Sequence, residues 1–155
     1  MTGNIAARLR ELGIALPKVA PPQGAYVPWV RSGGLLFISG QLPLGSEGLM
    51  YVGTIGREIN LEDAQRAARL CALNLIAQAA SALDGDLDRV RRVVKVTGFV
   101  NAVPEFMQHP EVVNGASELF AQIFGDAGRH ARAAVGAASL PRNVAVEIEG
   151  IFEVA

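Results

Sequence analysis

The sequence predicts an α+β fold: a mixed β-sheet with two long helices packed on one face and a short helix ahead of them. Three observations lead there. Leu61–Leu83 is rich in alanine and leucine, and Leu61, Ala64, Ala68, Cys71 and Leu75 recur at helical spacing. Val90–Val100 (VRRVVKVTGFV) is β-branched and predicts a strand. Gly128–Val154 reads as two further strands joined by a proline-containing connection.

In chain order, Asn4–Leu12 predicts a short amphipathic helix with Ile5, Leu9 and Leu12 on one side and Gly13 as its stop. Pro17, Pro21 and Pro22 then impose an extended path. Tyr26–Val30 and Leu35–Ser39 are strand-like runs around the turn Ser32-Gly33-Gly34. A glycine-rich loop and a short run near Met50–Val52 follow Gly40-Gln41. Asn60 is the expected N-cap of the long helix, with Asp63 at its third position, and Asp84-Gly85 ends it. In the strand that follows, alternation places Val94, Val96 and Gly98 on one face. Pro110–Phe124 predicts the second long helix, with Leu119 and Ile123 in its apolar stripe and Gly125 as terminator. The order is ββ(β)αβαββ, without repeats or a long linker.

The C-terminal stretch carries the most chemistry. His130, Arg132 and Ala134 share one strand face; in the next strand Val144, Val146 and Ile148 oppose Glu147 and Glu149. An arginine between alanines has room above its guanidinium, which suits a small anion. Arg132 is thus either a carboxylate anchor or the ion-pair partner of a glutamate in the adjacent strand. Glu147 and Glu149 form either a solvated face or, if one is partly buried, a water-holding group.

Composition bounds the rest. A chain of 155 residues can bury a real core. Half of the residues are hydrophobic and only 19% are charged, so part of the apolar surface is expected between subunits. A net charge of −1 argues against a protein that neutralises phosphates; Arg89, Arg91 and Arg92 read as the solvated end of a strand. One cysteine, Cys71, on the apolar helix face, permits no internal disulfide and fits a core position in a reducing compartment. His109 and His130 are the only histidines, and no metal-ligand spacing accompanies them, so no metal is expected. Ser39 lacks the surroundings of a hydrolase nucleophile. No run has the length of a membrane span and the N-terminus is unlike a signal peptide, so a cytoplasmic location is expected.

Three stretches together resemble the RidA/YjgF family. They are Gly24-Ala25-Tyr26-Val27 with Ile38-Ser39-Gly40-Gln41-Leu42-Pro43, then Val113–Phe120 (VNGASELF), and finally Ala131–Val135 (ARAAV) with Leu140-Pro141 and Val146–Glu149 (VEIE). The resemblance covers residues 20–155; the leading helix and the residues at Gln108–Glu111 are similar to a longer-chain branch. It implies a chorismate-mutase-like fold in one domain, 1–155, with 1–16 as a helical extension, assembled as a homotrimer with clefts between subunits. The implied activity is hydrolysis of reactive 2-imino and 2-enamino acids, released by pyridoxal-phosphate dehydratases, to 2-oxo acids and ammonia without a cofactor. Arg132 would bind the substrate carboxylate and Glu147 would help to position water. Tyr26 and Gly40 would line the pocket, and Ala134 would offer a backbone contact where cysteine is common. Ala25 replaces a frequent proline, and His130 shares the face of Arg132. A carboxylate-binding or regulatory protein of the same fold is the alternative, and a ribonuclease, a label some members carry, fits the charge poorly.

Overall fold

A computed structural model describes residues 3–19 and 24–155; Pro21 and Pro22 lie outside the described residues. Helix α1 spans Asn4–Glu11, α2 Leu61–Ala82 and α3 His109–Phe124. The strands are β1 (Trp29–Ser32), β2 (Leu35–Gln41), β3 (Leu44–Gly45), β4 (Gly48–Leu49), β5 (Val90–Asn101), β6 (Ala131–Ala137) and β7 (Val146–Val154). Five of them form one sheet in the order β1-β2-β7-β5-β6, with β5–β6 parallel and the other neighbours antiparallel. This is the mixed α+β architecture expected.

The two C-terminal strands are not neighbours, which corrects the picture of Arg132 beside a glutamate-bearing strand. β5 lies between them. A parallel pair needs a long crossover, and α3 supplies it between β5 and β6. From β6 the chain then turns through Pro141–Asn143, where Arg142 and Asn143 adopt positive φ, and returns as β7 on the far side of β5. The buried Asn101 holds that turn through its Nδ2, which donates to the Asn143 side chain at 3.2 Å and to the Val144 carbonyl at 3.1 Å.

Local signals set the helices. The Asn60 side chain accepts from the Asp63 N–H at 2.8 Å and caps α2. Ala64, Ala67, Ala68, Cys71, Ala72, Leu75 and Ile76 on α2 are fully buried, because small side chains allow the helix to approach the sheet. α3 comes close against α2 at Gly115, where any Cβ would collide with the Gln65 carbonyl. α1 lacks a side-chain cap of its own; the Asp88 carboxylate serves instead, accepting from the Asn4 and Ile5 N–H groups at 2.9 and 2.8 Å.

Strand details differ from expectation in three places. Tyr26 and Val27 precede β1, which begins at Trp29. Instead of a run at Met50–Val52, the two-residue strands β3 and β4 form a small hairpin, and Val52 makes only an isolated bridge to Val144. In β5 the register slips between Val93 and Lys95. Val93 is therefore fully buried and Val94 is not, while Val96, Gly98 and Val100 keep the expected inward phase.

Both long helices cover the face carrying Leu36, Ile38, Val96, Ile148 and Phe152, all buried. The opposite face has no layer over it among the described residues. It exposes Val30 (52%), Phe37 (41%) and Val135 (44%). No described helix is long and apolar enough to cross a membrane.

Candidate functional site

Arg132 pairs with Val96 in the β5–β6 register, so its side chain leaves the sheet on the helix-covered face. β6 is an edge strand, and α3 runs alongside it. Arg132 Nη1 donates to Asn114 Oδ1 at 2.8 Å and to Ser117 Oγ at 3.1 Å. Those two bonds engage both Nη1 hydrogens. Nε and Nη2 donate to no described residue, so the guanidinium edge they form offers two parallel donors, the geometry that grips a carboxylate. No carboxylate among the described residues lies within ion-pair distance of Arg132, so the ion-pair alternative does not hold for this chain. A shallow cleft of about 240 Å3 opens beside it, lined by Ser117, Ala121, Gly128, Arg129 and His130.

His130 enters that cleft immediately before β6. Its Nδ1 lies 2.7 Å from the Gly128 carbonyl and its Nε2 2.9 Å from Ser117 Oγ. Burial first, and the Arg132 charge after it, hold the imidazole below its ordinary value, against the opposing pull of the Gly128 carbonyl. Gly128 has no room for a Cβ, which would strike the Phe120 carbonyl. The Phe120 ring meets the imidazole edge-to-face at 5.5 Å.

Glu147 points to the other side of the sheet. It pairs with Phe99 in β5, and its neighbours along β7, Val146 and Ile148, are fully buried on the helix face. Between Ile38 and Gln41 the register of β2 slips, bringing Gly40 under the Glu147 side chain. A Cβ at Gly40 would overlap the carboxylate. Burial, and secondarily the Glu149 charge, push the Glu147 carboxyl above its ordinary value. It accepts no hydrogen bond from a described residue. A half-buried carboxylate with open acceptors and a raised proton affinity can hold a water and exchange protons with it. Gly40→Ala is expected to displace this carboxylate while leaving the fold in place. Melting temperature and steady-state activity measured together check this: activity should fall with little change in melting.

The structure thus gathers the expected site residues into two groups. Arg132 and Ala134 share the helix face at one edge; Ala134 pairs with Gly98 and turns its methyl toward the core. Glu147 and Gly40 share the uncovered face. Tyr26 belongs to neither group: it is 55% exposed in the segment before β1, and its hydroxyl has no partner among the described residues. Ser39 donates to the Val27 carbonyl at 2.8 Å and so ties that segment to β2. Cys71 is wholly buried, and burial pushes its thiol well up. His109 packs against Gly136 of β6. No three metal-ligating side chains gather among the described residues.

Two partners escaped sequence reasoning: Asn114 and Ser117. Their signal is the spacing of three, which puts both on one flank of the apolar stripe of α3. A second feature without a local signal is a groove of about 300 Å3 on the uncovered face, lined by Phe37, Ser39, Lys95, Thr97 and Glu149.

Comparison with known proteins agrees with this architecture. A family profile described as "YjgF/chorismate mutase-like, putative endoribonuclease" matches residues 6–152. Protein TCP17 of Trypanosoma cruzi is 48% identical over 153 residues, covering 98% of this chain and 95% of its own. A crystal structure of a protein of unknown function from Agrobacterium tumefaciens is 52% identical, with a TM-score of 0.91 over 97% of this chain and 92% of that one. E. coli TdcF with bound serine is 25% identical, with a TM-score of 0.62 over 89% and 94%. Given a profile that spans nearly the whole sequence and a fold shared with these relatives, the chain belongs to the RidA/YjgF family.

Proposed function

We propose that this protein hydrolyses reactive 2-imino and 2-enamino acids to 2-oxo acids and ammonia, in clefts formed between copies of the chain. The observation that carries the reading is the half-engaged Arg132 guanidinium: Nη1 is held by Asn114 and Ser117, and the Nε–Nη2 edge is left for a carboxylate. Family membership is consistent with a role in binding or processing small molecules, and serine, the ligand of TdcF, carries the carboxylate that such an edge would grip.

The chemistry asks little of the protein. A protonated imine is already electrophilic, so the chain orients it through its carboxylate and supplies a placed water. Glu147 takes a proton from that water as its oxygen bonds to the imine carbon. The same carboxyl returns the proton to nitrogen. As the C–N bond breaks to release ammonia, the regenerated carboxylate takes the hydroxyl proton, leaving the 2-oxo acid carbonyl, and passes that proton to the departing ammonia. Tyr26 and Gly40 form the wall of this pocket, and the Ala134 backbone adds a polar contact. No metal or organic cofactor takes part.

Arg132 and Glu147 leave opposite faces of one sheet, on strands separated by β5. A single copy does not present both to one small ligand. A homotrimer, in which the uncovered face and its apolar residues meet a neighbouring copy, would bring the Arg132 of one chain to the Glu147 of the next. In this reading residues 1–155 act as one unit, with 1–16 as a docked extension, in the reducing cytoplasm that a lone buried thiol favours.

A second reading, a carboxylate-binding or regulatory protein of the same fold, draws on the bound serine of TdcF, which has no imine to hydrolyse. A ribonuclease has less support: in the small basic cluster Arg89, Arg91 and Arg92, the Arg89 side chain is turned onto the Ala155 carbonyl. The test is deamination of imines generated in situ by an amino-acid oxidase from a series of parent amino acids. Accelerated 2-oxo acid release supports the enzyme. Binding of a 2-oxo acid without acceleration would favour the second reading.

A further inference from the structure

We infer that His130 is a positioning residue which aims the Arg132 guanidinium through the hydroxyl of Ser117. The inference rests on the reading of Arg132 as a carboxylate anchor, and it names what keeps that anchor pointed.

Hydrogen-bond roles along the chain of contacts follow from chemistry. The Gly128 carbonyl can only accept, so His130 Nδ1, 2.7 Å away, carries a hydrogen and donates. In the neutral ring Nε2 then holds the lone pair. Ser117 Oγ, 2.9 Å from Nε2, therefore donates its hydrogen to the ring. That turns the oxygen's lone pairs away from the ring, and Arg132 Nη1 donates to them at 3.1 Å. With Asn114 Oδ1 taking the other Nη1 hydrogen, the guanidinium plane is held and its Nε–Nη2 edge is presented outward.

The surroundings favour the neutral imidazole that this arrangement requires. The charged group that acts on His130 is the Arg132 guanidinium, two residues on; Arg129 also lines the cleft, but it is exposed and ion-paired with Asp126 of the preceding turn at 3.6 Å. α3 contributes Ser117 and the Phe120 ring, and the turn before β6 contributes a carbonyl. Lys95 of β5 pairs with Ala131, whose side chain leaves β6 on the face opposite to Arg132. No carboxylate among the residues lining the cleft offsets an imidazolium. On protonation Nε2 becomes a donor, the Ser117 hydrogen is released from the ring, and a second cation stands one hydroxyl away from Arg132.

Arginine side-chain NMR of the intact protein tests this without a ligand. At pH 7.5 the Arg132 guanidinium should rotate slowly about Nε–Cζ. Ser117→Ala, and separately His130→Asn, whose shorter amide keeps a donor for Gly128 but ends short of the Nε2 position that accepts from Ser117, should each speed rotation by about 2–10-fold, the worth of one net hydrogen bond. The double variant should add little to either single one. Ser117→Thr, which retains the hydroxyl, should restore slow rotation. Wild type needs no substitution to show the effect: acidification through the His130 titration should speed rotation, and His130→Asn should remove that pH dependence.

Rotation unaffected by acid, by Ser117→Ala and by His130→Asn would overturn the inference. Binding of 2-oxobutanoate, measured alongside, separates the two readings. Weakening by about 2–10-fold in each single variant supports both. Altered rotation in a wild type that neither binds 2-oxobutanoate nor deaminates imines would leave the relay standing and remove the proposed function.

Discussion

Replacing Arg132 by alanine is expected to lower kcat/KM for 2-imino acids by about two to three orders of magnitude, because a charge-assisted bidentate contact to the substrate is lost. The substitution removes one polar group at the edge of the proposed inter-chain cleft and leaves the apolar residues of the uncovered face unchanged, so the proposed oligomer should persist. Arg132→Lys is expected to recover little. A lysine ammonium restores the charge, but it cannot bond Asn114 and Ser117 on one side while presenting two parallel donors on the other. Steady-state kinetics and sizing chromatography on both variants check this. Activity retained in Arg132→Ala would mean that the carboxylate is held elsewhere.

Glu147→Gln is expected to move activity and stability in opposite directions. Loss of the proton-exchanging group should lower kcat by about 10²–10⁴-fold. Stability at neutral pH should rise. Burial, with the Glu149 charge second, holds the Glu147 carboxyl above its ordinary value of 4.5, so the folded chain takes up this proton more readily than the unfolded chain. The resulting advantage to folding is fully present below 4.5 and is lost as pH rises through the folded-state value. At pH 7 the ionised carboxylate therefore costs stability that glutamine does not. Thermal melts at pH 7 and near pH 4 should show Glu147→Gln melting higher at the first and level with wild type at the second. A variant that melts lower at pH 7 would mean that an interaction made by the carboxylate outweighs its desolvation.

Much of this fold could be read from the chain because its helices and its last strand carry undisturbed periodicity. The α2 start is set by a cap four residues long, Asn60 to Asp63, and β7 alternates buried and uncovered residues from Val146 to Val154. What could not be read depends on pairing between distant segments. Nothing within Gly128–Val154 shows that β5 inserts between its two strands, because that order is decided by the crossover of α3. The bulge at Val93–Lys95 was hidden because consecutive valines look alike in either phase.

The same division applies to the site. Arg132 and Glu147 stand out in the sequence by their motifs, and alternation separates the faces that the structure assigns to their neighbours. The contacts that give each its chemistry span long separations: Asn114 and Ser117 reach Arg132 from another element, and Gly40 reaches Glu147 across a strand pair. Alternation had also placed His130 beside Arg132, but only the folded chain puts the Ser117 hydroxyl between them.

In the proposed arrangement one working site needs Arg132 from one chain and Glu147 from another. Unfolding Arg132→Ala and Glu147→Gln together in equal amounts and refolding them as mixed oligomers tests it directly. If neighbouring chains share the site, random assembly of a ring should restore intact pairings at about a quarter of the interfaces, and activity should return toward that fraction from two inactive parents. Mixed oligomers that form but stay inactive would mean that the two residues do not meet across chains.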